Sequence, residues 1–224
     1  MEKLPAHETV YRRIRDMVLF GELAPGQAVT IQGLVEALAS GITPVREAIR
    51  RLTAEGALEF KGNRRVCVPE LTPAHLAELG FARGALEPHL AEIAAAKVRP
   101  ADIDALEAID AQVNAAIQQG DIRAYLEHNY RFHTVLYAHS GADILCSMVQ
   151  GLWLRVGPSL RIVCGRYGTL NLPDKHAEAI SALRSGRGQD VAAAIRDDIL
   201  QGQDQIIEAL AEAGVGAANL VDRV

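Results

Sequence analysis

Apolar residues recur at helical spacing through most of the chain. Val10, Ile14, Met17 and Val18 stand at i, i+4, i+7 and i+8, one face of a helix. Gly21 and Pro25-Gly26 close it. Ile31, Leu34, Val35 and Leu38 mark a second helix, with Thr30 as its cap. After a short turn at Ala39-Ser40-Gly41-Ile42, a third helix buries Val45, Ala48, Ile49 and Leu52. Thr43 is its predicted N-cap, Pro44 its first helical residue, and Gly56 its end. The period then changes to two. Leu58 and Phe60 point one way and Glu59 and Lys61 the other. Gly62-Asn63 reads as a two-residue turn, and Val66 and Val68 alternate on the return strand. Three short helices followed by a hairpin outline a winged helix-turn-helix.

Pro69-Glu70-Leu71-Thr72-Pro73 is the seam, since both prolines resist helix continuation. Beyond it, the pattern predicts helices over 73–97, 100–119, 121–139, 142–163, 173–185 and 188–213. Pro88 and Gly157-Pro158 predict kinks or breaks in the first and fourth of these. Residues 165–172 read as a loop. The expected fold is mainly α: a winged helix-turn-helix over 1–69, then an all-helical bundle over 70–224. A bundle of that size can bury a core and a pocket between its helices.

Composition fits this picture. The chain has 224 residues, 49% hydrophobic and only 4% aromatic, which favours helices over a β-sandwich. No apolar run reaches the roughly 18–20 residues of a membrane span. Met1 to Glu8 holds no apolar signal core, so a cytoplasmic protein is expected. Cys67, Cys146 and Cys164 are scattered and odd in number, which suits neither a disulfide framework nor a zinc site. Net charge is −5, and its distribution changes what that implies. Residues 1–69 carry +2 and residues 70–224 carry −7, so an acidic total does not exclude nucleic acid as a partner.

Placed at 100° intervals, Arg46 and Arg50 share one edge of the third helix, with Thr43 on the same side. An arginine there can bind guanine O6 and N7, worth about 1–3 kcal/mol for a good bidentate pair. The hairpin tip Lys61-Gly62-Asn63-Arg64-Arg65 is basic and slight, suited to the DNA backbone or a minor groove. The plainer alternative is a solvated face in which Glu47 and Arg51 form an i,i+4 pair. The run Thr43-Pro44-Val45-Arg46-Glu47-Ala48-Ile49-Arg50-Arg51-Leu52-Thr53-Ala54-Glu55-Gly56 resembles the recognition-helix signature of GntR-type transcription regulators. Gly21-Glu22-Leu23-Ala24-Pro25-Gly26 upstream and Asn63-Arg64 downstream match it in order and spacing. The resemblance covers residues 8–69 and implies DNA contacts by Thr43, Arg46, Arg50, Gly62, Asn63 and Arg64. Two positions depart from the family pattern. Ile42 stands where an arginine is frequent, and Gln32 where a charged residue is frequent. Both bear on which operator is read.

The second part is similar to the FCD ligand-binding domain of the FadR-like subgroup. Arg83 and Glu87, Asn129-Tyr130-Arg131-Phe132-His133, His176 and Ala194-Ile195-Arg196-Asp197-Asp198-Ile199 carry that likeness. It implies one divalent metal ion per chain (Zn, Ni or Mn) at the positions Asn129, His133, His176 and Asp198. Asn129 and His133 lie four apart on one helical face. Here Asn replaces a usual Asp, and Asp a usual His. Two alternatives stay open. His133 and His176 can bind an effector directly, with Asp198 accepting a hydrogen bond from one of them. His128 lies about 140° round the helix from His133 and is expected at the surface. For a carboxylate effector, the likeness implies Arg83 as the anchor, followed by Arg155 and Arg161; a guanidinium matches a carboxylate bidentately. Arg83 can instead form an i,i+4 ion pair with Glu87 that braces the bundle.

Together these resemblances imply a ligand-responsive regulator, in the sense of most family members a repressor. It would act as a homodimer on a (pseudo)palindromic operator in double-stranded DNA, with a small organic acid as effector. No catalytic residue is expected and no membrane partner. A metal-dependent helical enzyme acting on a small carboxylate is the alternative. The chain has no His-Glu-x-x-His motif and no glycine-rich phosphate loop to support it. A non-specific architectural DNA binder is a third reading, opposed by the acidic second part.

Overall fold

The computed structural model describes residues 5–62, 65–162 and 173–221. The chain forms two compact units: Met1–Leu71 with Gln150–Ser159, and Thr72–Val149 with Leu160–Val224. The expected contacts Asn63 and Arg64, together with Cys164 and the loop 165–172, lie outside the described residues.

In the first unit α1 (Ala6–Leu19) packs on α3 (Ile42–Ala54), with α2 (Ile31–Leu38) beside α3. Val10, Ile14, Val18, Leu34, Val45, Ile49 and Leu52 form the shared core, as the periodicity predicts. Thr30 caps α2, its hydroxyl accepting from the Gly33 amide at 3.0 Å. The start of α3 differs from expectation. Gly41, in extended backbone, is the N-cap; no side chain caps the helix, and Thr43 lies inside it. Pro44 still fits, because the first-turn amides have no intrahelical partner to lose. Gly56, with φ of +76°, ends the helix where a side chain would be strained.

Three strands complete this unit: β1 (Ala28–Val29), β2 (Glu59–Lys61) and β3 (Arg65–Cys67), antiparallel in the order β1-β3-β2. Lys61 pairs with Arg65, and the turn expected at Gly62-Asn63 lies in part outside the described residues. Leu58, Val66 and Val68 are buried, but Phe60 is exposed. Arg51 also departs from the expected pair with Glu47. Its guanidinium lies 3.5 Å over the Tyr11 ring and binds Glu8 and Glu55, while the Tyr11 hydroxyl donates to Glu55 at 2.7 Å. This cluster ties α1 to α3.

The second unit is helical. α4 (Pro73–Ala95) lies along α9 (Gly188–Val221), α5 (Pro100–Gln119) along α6 (Ile122–Ala138), and α8 (Lys175–Arg184) against α9. Thr72 and His75 form a capping box that starts α4, so His75 has a partner the sequence pattern did not suggest. Leu76, Leu90, Leu106, Val113, Phe132, Leu136 and Ile195 fill the core. Neither expected break occurs. α4 runs through Pro88, and α7 (Asp143–Ile162) through Gly157-Pro158. Gly157, in the stretch of α7 that belongs to the first unit, instead allows close packing there: a Cβ would stand 2.9 Å from the Leu19 carbonyl oxygen. Among the described residues no helix is long and apolar enough to cross a membrane.

Candidate functional site

Two sets of side chains stand out, one in each unit. On α3 the buried stripe Val45, Ala48, Ile49 and Leu52 turns Ile42, Thr43, Arg46, Glu47 and Arg50 to solvent. Arg46 has no ion pair among the described residues. Arg50 donates to Glu47 at 2.7 Å, an exposed pair that solvent screens strongly. Gly62 of the wing has open space around it. Gln32, on α2, is held by Glu36 at 2.9 Å.

The second set is buried. Arg83 on α4 donates through Nε to Glu87 at 2.5 Å. The Tyr137 hydroxyl donates to the other Glu87 oxygen at 2.8 Å. Burial, and then the Glu87 charge, holds that phenol protonated, well above its usual pKa. With its proton directed to Glu87, the Tyr137 oxygen accepts from Nδ1 of His133, 3.0 Å away. That leaves Nε2 of His133 as a bare lone pair. His176 on α8 is set in the same way. Its Nδ1 lies 2.9 Å from Asp110 on α5, and a carboxylate only accepts, so Nδ1 carries the hydrogen. Phe132 stacks on the His176 ring at 3.9 Å between centroids and fixes its plane.

These constraints converge. Nε2 of His133 lies 3.3 Å from Nε2 of His176 and 3.2 Å from the Asp198 carboxylate on α9. The three ligand atoms lie within 4.8 Å of one another. Burial raises the Asp198 pKa. The bond to His133 and the charges of His133, His176 and Arg83 outweigh that and bring it to about 2. The two imidazoles are pushed apart: burial lowers His133, while His176 is raised, its burial outweighed by Asp110 and Asp198. Three acceptors cannot satisfy one another. A positive charge between them does, either a proton on an imidazole or a divalent ion. Imidazole and carboxylate suit zinc, nickel or manganese, and both imidazoles already have the outer-shell partners such ligands need.

Asn129, four residues before His133 on α6, is 7% exposed, and its amide makes no hydrogen bond among the described residues. It lines a chamber of about 230 Å³ together with Asp110, Asn114, Lys175, His176 and Asp198. The structure therefore gathers Asn129, His133, His176 and Asp198 at one place. It does not bring the three expected arginines there. Arg83 is committed to Glu87 behind His133, which matches the bracing alternative. Arg155 is exposed, its guanidinium beside Gly56 in the first unit. Arg161 does not line the chamber. Asp110 and Tyr137, which orient the imidazoles, were not foreseen in that role. Asp110 carried a signal, a charged residue inside the apolar row Leu106, Ile109 and Val113. His128 is half-buried rather than at the surface, and its Nδ1 has no hydrogen-bond partner among the described residues.

Comparison with known proteins fits both units. Residues 6–68 match the family described as bacterial regulatory proteins, gntR family, and residues 78–201 match the FCD domain. The HTH-type transcriptional regulator McbR of Escherichia coli K12 is 32% identical over 147 residues, 66% of each chain. A regulator in an unstable DNA locus of Streptomyces ambofaciens is 30% identical over 59% of this chain. The match spans only 55% of that relative, and under two thirds of either of these two. The HTH-type transcriptional repressor RspR of Escherichia coli K12 is 23% identical over 85% of this chain and 84% of its own. The solved structure of E. coli McbR/YncC superposes with a TM-score of 0.85 at 25% identity, covering 93% of this chain and all of that one. With a winged helix-turn-helix followed by an FCD helical domain, the chain belongs to the GntR family of bacterial regulatory proteins.

Proposed function

We propose that this chain is a cytoplasmic, sequence-specific DNA-binding transcription regulator, in sense a repressor. It acts as a homodimer on a two-fold symmetric operator, because one short helix reads too few base pairs to select a genomic site. Its domains are a DNA-reading part over 1–69 and a sensing and dimerising part over 70–224. Thr43, Arg46 and Arg50 of α3 and Gly62, Asn63 and Arg64 of the wing make the DNA contacts.

The sensing reading rests on one observation, the convergence of His133, His176 and Asp198 beside a polar chamber. These three residues would hold a divalent ion, with the Asn129 amide oxygen as a further donor. The ion would supply a Lewis-acidic anchor for the carboxylate of a small organic acid. That role replaces the one expected of Arg83, whose charge is already matched by Glu87. Tyr137 and Asp110 hold the two imidazoles in the tautomer that turns both Nε2 atoms toward Asp198. Lys175 is the basic side chain of the lining, itself shared with Glu178 and Asp197. An effector that binds one arrangement of the helical part better shifts the population toward it. A coupling of about 1–3 kcal/mol would change operator affinity some 5- to 150-fold.

Selection of bound duplexes from a random pool, without effector, tests this. A recovered two-fold symmetric site that is released by metal plus one organic acid is the expected result. No enrichment, with or without metal and pooled organic acids, would overturn it. An enzymatic role for the same donors would show as turnover of a carboxylate that chelation abolishes.

Tyr137→Phe probes the outer shell. The change keeps the ring and removes the hydroxyl that links Glu87 to His133. Affinity for zinc, measured by competition with a chromophoric chelator, should fall about 10- to 100-fold. Unchanged affinity would mean that Tyr137 does not set the ligand.

A further inference from the structure

The exposed row on α3 has an apolar head. Ile42, Arg46 and Arg50 stand at i, i+4 and i+8, and all three are exposed. They form a line about 12 Å long that starts at the edge of the buried stripe, beside Ile49, and turns away from it toward Arg50. Ile42 is 49% exposed. A single exposed apolar side chain is ordinary by itself. Its position is what informs. It occupies the first turn of the helix, where residues of a recognition helix reach base edges, at the head of the row that holds both arginines.

An isoleucine offers no donor and no acceptor. In the major groove, the apolar group that a base pair presents is the C5 methyl of thymine. A guanine or cytosine edge packed against Ile42 would instead lose water from its polar groups with no partner in return. The β-branched side chain is also nearly fixed at χ1 in a helix, so little freedom is lost on contact. Ile42 and Arg46 are separated by about 6 Å along the helix, one or two base steps of 3.4 Å.

We propose that Ile42 is a specificity-determining residue that reads a thymine methyl in each half-site, within two base pairs of the position read by Arg46. The inference rests on the operator-reading function proposed above and goes beyond it, by assigning a base to a position where this chain departs from its family's arginine.

The test uses the full chain and the operator recovered from the random pool. Each thymine is replaced in turn by uracil, which removes the methyl and leaves the hydrogen-bonding edge unchanged. At one symmetric position the wild-type protein should lose about four-fold in affinity per half-site, the effect of one buried methyl-sized group. Changing both half-sites should cost about sixteen-fold. Ile42→Ala should bind thymine and uracil operators equally. Ile42→Val, which keeps part of the contact, should still discriminate. Ile42→Arg should move the preference at that position toward guanine. The inference is overturned if Ile42→Ala still discriminates uracil, or if no thymine near the arginine-read position is sensitive. Recovery of no sequence by the wild-type protein would overturn the operator-reading function as well, so the two failures are distinct.

Discussion

Arg46→Ala is expected to abolish selective DNA binding while leaving the melting temperature unchanged. Arg46 is exposed, has no ion pair among the described residues, and lies outside the buried stripe of α3. The fold therefore loses almost nothing with it. The DNA complex loses a bidentate guanine contact worth about 1–3 kcal/mol. In a symmetric dimer the loss occurs twice, roughly 2–6 kcal/mol, or from about 30-fold to more than 10⁴-fold. Arg50→Ala should do less, because Arg50 must first give up Glu47 and its net gain on DNA is smaller. The measurement is affinity for the selected operator and for a scrambled duplex at one fixed salt concentration, since phosphate contacts make both values salt-dependent. Unchanged affinity and unchanged selectivity in a protein of wild-type stability would remove α3 as the reading helix.

The helices were legible because their determinants are local. Apolar spacing and local signals such as Thr30, Pro73 and Gly56 fix where a helix can run. What failed depended on distant partners. β1 has two residues and no pattern of its own; it exists because β3 pairs with it. Pro88 and Pro158 do not break their helices, because packing around a buried proline outweighs its local preference. At the buried centre, the likeness to the FCD domain pointed to His133, His176 and Asp198, and the fold brings them together. Their orientation depends on Tyr137 from the same helix and Asp110 from another, a relation of side-chain geometry rather than of spacing. Arg83 was ambiguous in sequence for a physical reason. The same i,i+4 spacing that lets Glu87 neutralise it also leaves it free to face a pocket, and only the 2.5 Å contact decides.

Asp198→Asn is expected to separate sensing from DNA reading. The change keeps shape and volume and removes the carboxylate charge that faces Nε2 of His133 and of His176. Affinity for zinc or manganese should fall by more than about 100-fold, beyond the 10- to 100-fold typical of an outer-shell change. The effect also appears in stability. A metal at 100 times its dissociation constant stabilises the native chain by about 2.7 kcal/mol. For a chain of this size that raises the melting temperature by roughly 5–10 °C. Wild-type protein should show this rise and the variant should not. The sequence recovered from a random duplex pool should be the same for both, because Asp198 and Arg46 belong to separate units. Two outcomes would redirect the reading. If wild-type protein binds no divalent ion, the positive charge at the centre is a proton, and His133 and His176 meet the effector directly. If Asp198→Asn alters the selected sequence, sensing and reading are not divided between the units as proposed.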